Sequence, residues 1–78
     1  MYYLYILKNT KSAELYYGFT SNLERRVQTH MYVDSKQKLV YYEAYLAESD
    51  ARKREAKLKH YGQSRAHLKE RIKASLAL

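Results

Sequence analysis

The chain has no cysteine, only two glycines, and no apolar run near the ~18 residues that a membrane span needs. Without cysteine there is no disulfide framework and no thiolate zinc site, so a reducing interior suits it. The N-terminal Met1-Tyr2-Tyr3 lacks the charged region of a signal peptide, and a cytoplasmic protein with no membrane partner is expected. No repeat, proline-rich linker or low-complexity tract interrupts the sequence, so residues 1–78 read as a single domain. At that length folding hides only about 60–65% of the unfolded chain's surface, which predicts a thin core. Acidic residues are also scarce: 8 Asp and Glu stand against 15 Lys and Arg, a formal charge of +7 that attracts polyanions. Nine of those 15 cations lie between Arg52 and Lys73, accompanied only by Glu55 and Glu70, so the C-terminal half carries the positive field.

What the chain does have is tyrosine, ten residues of it. Residues 2–8 and 14–19 are rich in tyrosine and apolar side chains, and the polar stretch from Asn9 to Ala13 between them reads as a hairpin turn. With Lys8 facing Ala13, Tyr5 lies opposite Tyr16, placing two phenols on one face of the sheet. Ser21-Asn22-Leu23-Glu24 fits a capping box that starts a first helix at Ser21. Along that helix Leu23, Val27, His30 and Met31 share one stripe, with Arg26 on its flank.

Leu39 to Tyr45 reads as a third strand. A second helix follows, capped by Ser49 or Asp50, running to His60 or Tyr61 and stopping at Gly62 as a C-terminal glycine. A third helix from about Ser64 to Leu76 carries Leu68, Ile72, Ser75 and Leu76 on one stripe. Within the second helix, Ala51, Glu55 and Leu58 fall on the core-facing side. A carboxylate there needs a cation, a metal ion or hydrogen bonds to compensate it, and a partly buried ion pair with an arginine is the plain structural alternative.

Together these residues resemble the GIY-YIG nuclease family, in particular its small single-domain bacterial branch. Tyr3-Leu4-Tyr5 stands where the family has its first motif and Tyr16-Tyr17-Gly18 where it has the second. The run from Gly18 through Arg26 to His30 is similar to the family's glycine, arginine and histidine segment, and Glu55 to its metal-binding glutamate. The resemblance implies an α+β fold, a three-stranded antiparallel sheet flanked by about three helices, and a DNA endonuclease using Mg²⁺ or Mn²⁺ held by Glu55. It further implies catalytic roles for Tyr5, Tyr16, Arg26, His30 and Glu55. Substrate contacts are expected from Gly18, Arg25, Arg54, Lys57, Lys59 and Gln63.

Each role has a physical basis. Mg²⁺ takes one or two carboxylates and keeps its waters, and the Arg26 fork matches two phosphate oxygens. Tyr5 and His30 are alternative proton acceptors. The phenol, ordinarily near pKa ~10, requires cations such as Arg26 and the metal to favour its ionised form.

The chain departs from the family pattern by carrying Tyr3 in place of the first motif's glycine and Phe19 where several members have a basic residue. It also lacks the late asparagine, for which Gln63 is the candidate substitute. Only about seven residues separate His30 from the third strand, which favours a swapped or paired assembly. DNA is the expected partner, cut according to its structure in repair or recombination, with a homodimer or a targeting protein as further partners. The competing readings are a nucleic-acid-binding module of the same fold without turnover and, more weakly, a basic amphipathic surface for membranes or partner helices.

Overall fold

The computed structural model describes residues 1–78. The chain runs β1 (Tyr2–Asn9), β2 (Leu15–Thr20), α1 (Leu23–Val33), β3 (Gln37–Tyr45), α2 (Glu48–His60), α3 (Gly62–Arg71) and α4 (Lys73–Ala77). The strands form one antiparallel sheet in the order β2-β1-β3, the expected α+β architecture. The third predicted helix is divided: α3 ends at Arg71, Ile72 leaves helical geometry, and the short α4 follows. None of the helices is long and apolar enough to cross a membrane.

β1 is central, and its run Leu4, Tyr5, Ile6 and Leu7 is buried on both sides of the pleat. Alternation divides this run between two faces. Leu4 and Ile6 meet Leu58 of α2, Leu68 of α3 and Ile72, and this cluster is the main core. Tyr5 and Leu7 point to the opposite face, where α1 packs without burying any residue completely. The predicted α1 stripe is met at three of its four residues: Leu23, Val27 and His30 are partly buried, whereas Met31 is 46% exposed.

The hairpin register differs from the expected one by two residues. Lys8 pairs with Leu15, Tyr5 with Gly18 and Leu7 with Tyr16. The turn is longer because the Asn9 side chain accepts from the amides of Lys11 and Ser12 at 2.9 and 3.0 Å, and Ala13 adopts a left-handed φ of 66°. A shift of two keeps every side chain on its face, so Tyr5 and Tyr16 remain on the same side of the sheet.

Three caps also differ. Asn22, rather than Ser21, caps α1: its side chain accepts from the Arg25 amide at 3.1 Å. The buried Thr20 hydroxyl holds the Asn22 backbone through bonds to its carbonyl (3.2 Å) and amide (3.1 Å), which delays the first turn by one residue. α2 starts at Glu48, before Ser49 and Asp50, with no side-chain cap. Gly62 begins α3 instead of ending α2, and no glycine has a positive φ. Arg65 takes over that task, donating to the carbonyls of Leu58 and Lys59 at 2.8 and 3.0 Å and so satisfying acceptors a helix end leaves open.

Candidate active site

The site grows from the face of β1 that carries Tyr5. Gly18 of β2 lies directly opposite, and the Tyr5 ring rests on it: a Cβ at position 18 would stand 2.4 Å from Tyr5 Cζ. Only glycine leaves room for the ring, so the sequence motif at Gly18 is first a packing requirement. Tyr16, two residues earlier on β2, has its ring centroid 6.1 Å from that of Tyr5 and is 45% exposed.

α1 contributes the third ring. His30 Nε2 and the Tyr5 hydroxyl are 3.0 Å apart, and the His30 ring centroid is 5.9 Å from Tyr5 and 5.1 Å from Tyr16. Arg26, one turn before His30, lies beside the Tyr5 phenol. Arg25, Arg26, His30 and Thr20 line a cleft of about 730 Å³ next to this cluster. The helix start fixed by Thr20 and Asn22 therefore sets where both the guanidinium and the imidazole stand.

Burial decides the protonation of Tyr5. Loss of solvent, then the neighbouring Tyr16 phenol, push it up from 10.0 to about 12 against the opposing pull of Arg26. Arg26 does pull towards the ionised phenol, as expected, but without a metal ion desolvation outweighs the guanidinium. Because the folded value lies above the ordinary one, the Tyr5 contribution to stability is complete below pH ~10 and is lost as pH rises towards ~12. Tyr45, also raised to about 12 by burial and by Glu43, acts in the same direction. Tyr17 and Tyr41 are raised by burial as well, so denaturant unfolding between about pH 10 and 12 is expected to show falling stability. Unchanged stability over that interval would remove the claim.

The remaining predicted residues have other partners. Glu55 sits on α2, the helix that packs on the opposite face, partly buried and paired with Lys59 at 3.1 Å rather than with an arginine. No hydrogen bond or ion pair links it to Tyr5, Tyr16, Arg26 or His30. Arg52, one turn before Glu55, lies 4.3 Å above the Phe19 ring, which brings this part of α2 over the outer strand β2. Arg54 is held by both oxygens of Glu43, with contacts of 2.9, 3.2 and 3.1 Å. Lys57 borders a separate cleft beside β3, and Gln63 is exposed in the first turn of α3 near His60.

Sequence reading missed the group around Glu43. Tyr41 donates to it at 2.7 Å, Tyr45 also donates to it, and Arg54 completes the set. Burial works to raise the Glu43 carboxyl, but hydrogen bonds from Arg54, Tyr45 and Tyr41 outweigh that and hold it below the usual carboxylate range. The available signal was the alternation Tyr41, Glu43, Tyr45, which puts all three on one face of β3.

The donor chemistry suits a hydrated hard cation. Mg²⁺ needs only one or two carboxylates, which Glu55 can supply, whereas a zinc site requires three or four gathered ligands and no group of three His, Cys, Asp or Glu side chains occurs.

No match to the chain was found among curated proteins or among solved structures. The family profile described as the GIY-YIG catalytic domain, by contrast, matches residues 1–70, a span holding both tyrosine motifs, Arg26, His30 and Glu55. With that match and this antiparallel fold, the chain belongs to the GIY-YIG family, a family of nucleases.

Proposed function

We propose that this domain is an endonuclease that hydrolyses DNA phosphodiester bonds with one Mg²⁺ or Mn²⁺, directed by DNA structure rather than sequence, in repair or recombination. The observation that carries this reading is the meeting of Tyr5, Tyr16 and His30 beside Arg26 at an open cleft. Arg26 binds two non-bridging oxygens of the scissile phosphate, and its charge counts for more as negative charge grows there in the transition state. Arg25 steadies a neighbouring phosphate from the same cleft.

The exposed Tyr16 hydroxyl orients the attacking water. As the water oxygen bonds to phosphorus and the leaving oxygen departs, the water's proton passes through the phenols to the His30 imidazole. Tyr5, hydrogen-bonded to His30 Nε2 at 3.0 Å, gives its own proton as it takes the next, so Tyr5 and His30 act as a pair instead of as rival bases. Glu55 would hold the divalent cation, which would supply charge neutralisation to the reaction when bound. Glu55 becomes available by leaving Lys59, a partly exposed pair worth about 0–1 kcal/mol.

One observation favours a second reading, a DNA-binding module without turnover: Glu55 already has a cation partner. The two readings separate on a panel of linear, nicked, flapped and four-way-junction DNA incubated with Mg²⁺, Mn²⁺ or chelator. The nuclease is expected to give metal-dependent product, greatest on the branched substrates. Salt-sensitive binding with no product under either metal would establish the binder instead.

A further inference from the structure

A second cationic hollow lies on the face of the sheet opposite Tyr5. Tyr41 and Glu43 pair with Ile6 and Leu4 of β1, so they share the core-facing side covered by α2 and α3. Between these elements is a cleft of about 610 Å³ to which Arg54, Lys57, Ser64, His67 and Arg71 contribute. Glu43, the only carboxylate lining it, is already engaged by Arg54 and two phenols. The chain's three ion pairs are Arg52–Glu48, Arg54–Glu43 and Lys59–Glu55, which leaves Lys57 and Arg71 without an acidic partner. Two unneutralised cations, an imidazole and a hydroxyl thus surround a polar hollow whose one negative group is spent. Its geometry is held by the partly buried Glu43–Arg54 contact.

We propose that this cleft holds a backbone phosphate of a second DNA segment, so that one domain grips two duplex arms at once. The inference rests on the nuclease reading only in taking the Arg25–Arg26 cleft as the first DNA contact. The two clefts lie on opposite faces of a molecule whose shortest dimension is 19 Å, about six base pairs of duplex at ~3.4 Å each. Bending 20–30 base pairs by 40–90° costs about 1–6 kcal/mol, and the half-turn that one duplex needs to reach both faces costs more still. Two crossing arms reach both faces without bending. Linking the contacts through one branched molecule then raises affinity beyond that of either face alone.

The test uses the complete chain in chelator, where no cleavage is needed. Affinity for a four-way junction is compared with that for linear duplex of equal length, in the wild type and in the Lys57→Gln/Arg71→Gln variant. Both side chains are exposed, and circular dichroism melting verifies that the variant folds. The wild type should bind the junction at least roughly tenfold more tightly than the duplex. The variant should lose most of that preference, and its log–log salt slope on the junction should fall by about two, near 0.9 per lost phosphate contact. His67 ring resonances should move on adding the four-way junction. An unchanged preference in the variant, or His67 resonances that stay in place on adding the junction, overturns the proposal. Failure of the nicking assay with these binding results intact would overturn the nuclease reading and leave the second site standing.

Discussion

Glu55→Ala is expected to remove metal-dependent nicking almost completely while the protein stays folded and retains its DNA affinity in chelator. Lewis-acid stabilisation of a phosphoryl transition state is worth several kcal/mol, and each ~1.4 kcal/mol is tenfold in rate, so a loss of roughly 10³-fold is anticipated. Stability should change little, because the only partner of the carboxylate is Lys59, whose side chain is 47% exposed. Such exposed pairs contribute about 0–1 kcal/mol. The comparison that decides is single-turnover nicking of a branched substrate set beside a thermal melt of the same preparation. A variant that nicks at the wild-type rate would take the cation away from Glu55. A variant that melts many degrees lower would show that the carboxylate is structural.

Gly18→Ala should have the largest structural effect of any single methyl group added to this chain. The new carbon would stand 2.4 Å from Cζ and 2.5 Å from the hydroxyl oxygen of Tyr5, well inside contact distance. The ring has little freedom to yield, since it is wholly buried and its hydroxyl is bonded to His30. Overpacking of this kind costs about 1–3 kcal/mol, which in a domain of this size lowers Tm by roughly 4–20 °C. The same displacement breaks the Tyr5–His30 contact, so activity should fall together with stability. Tyr5→Leu, which removes the ring, supplies the control: in that background Gly18→Ala should cost distinctly less, giving a coupling of about 0.5–3 kcal/mol in the double-mutant cycle. Additive effects would mean that the ring is not what Gly18 accommodates.

Much of the site was legible because it is written in short periods. Alternation along β1 and β2 puts Tyr5 and Tyr16 on one face, and that conclusion survived a register error because the error was an even number of residues. Helical spacing put His30 and Arg26 on neighbouring lines of α1, and the structure brings both to Tyr5. Arg54, Lys57 and Gln63 were grouped with the substrate path through positive charge and family likeness, which carry no information about direction. The structure sets them in clefts that neither Tyr5 nor Tyr16 lines, with Arg54 committed to Glu43. Gly62 was assigned a helix end by a rule of local chemistry, but a side chain three residues further on satisfies the same carbonyls.

The amino-acid sequence alone determined the first hairpin, the succession of strands and helices, the sharing of a face by two phenols, and the excess of cations in the C-terminal half, whereas the three-stranded sheet was what the family likeness implied. These follow from backbone periodicity and composition, which each segment carries within itself. Tertiary structure alone decided that burial raises the Tyr5 phenol, that His30 comes within hydrogen-bond reach of it, and that Glu43 engages Arg54. Desolvation and ion pairing depend on which distant segments come within a few ångströms, and no local pattern encodes those distances.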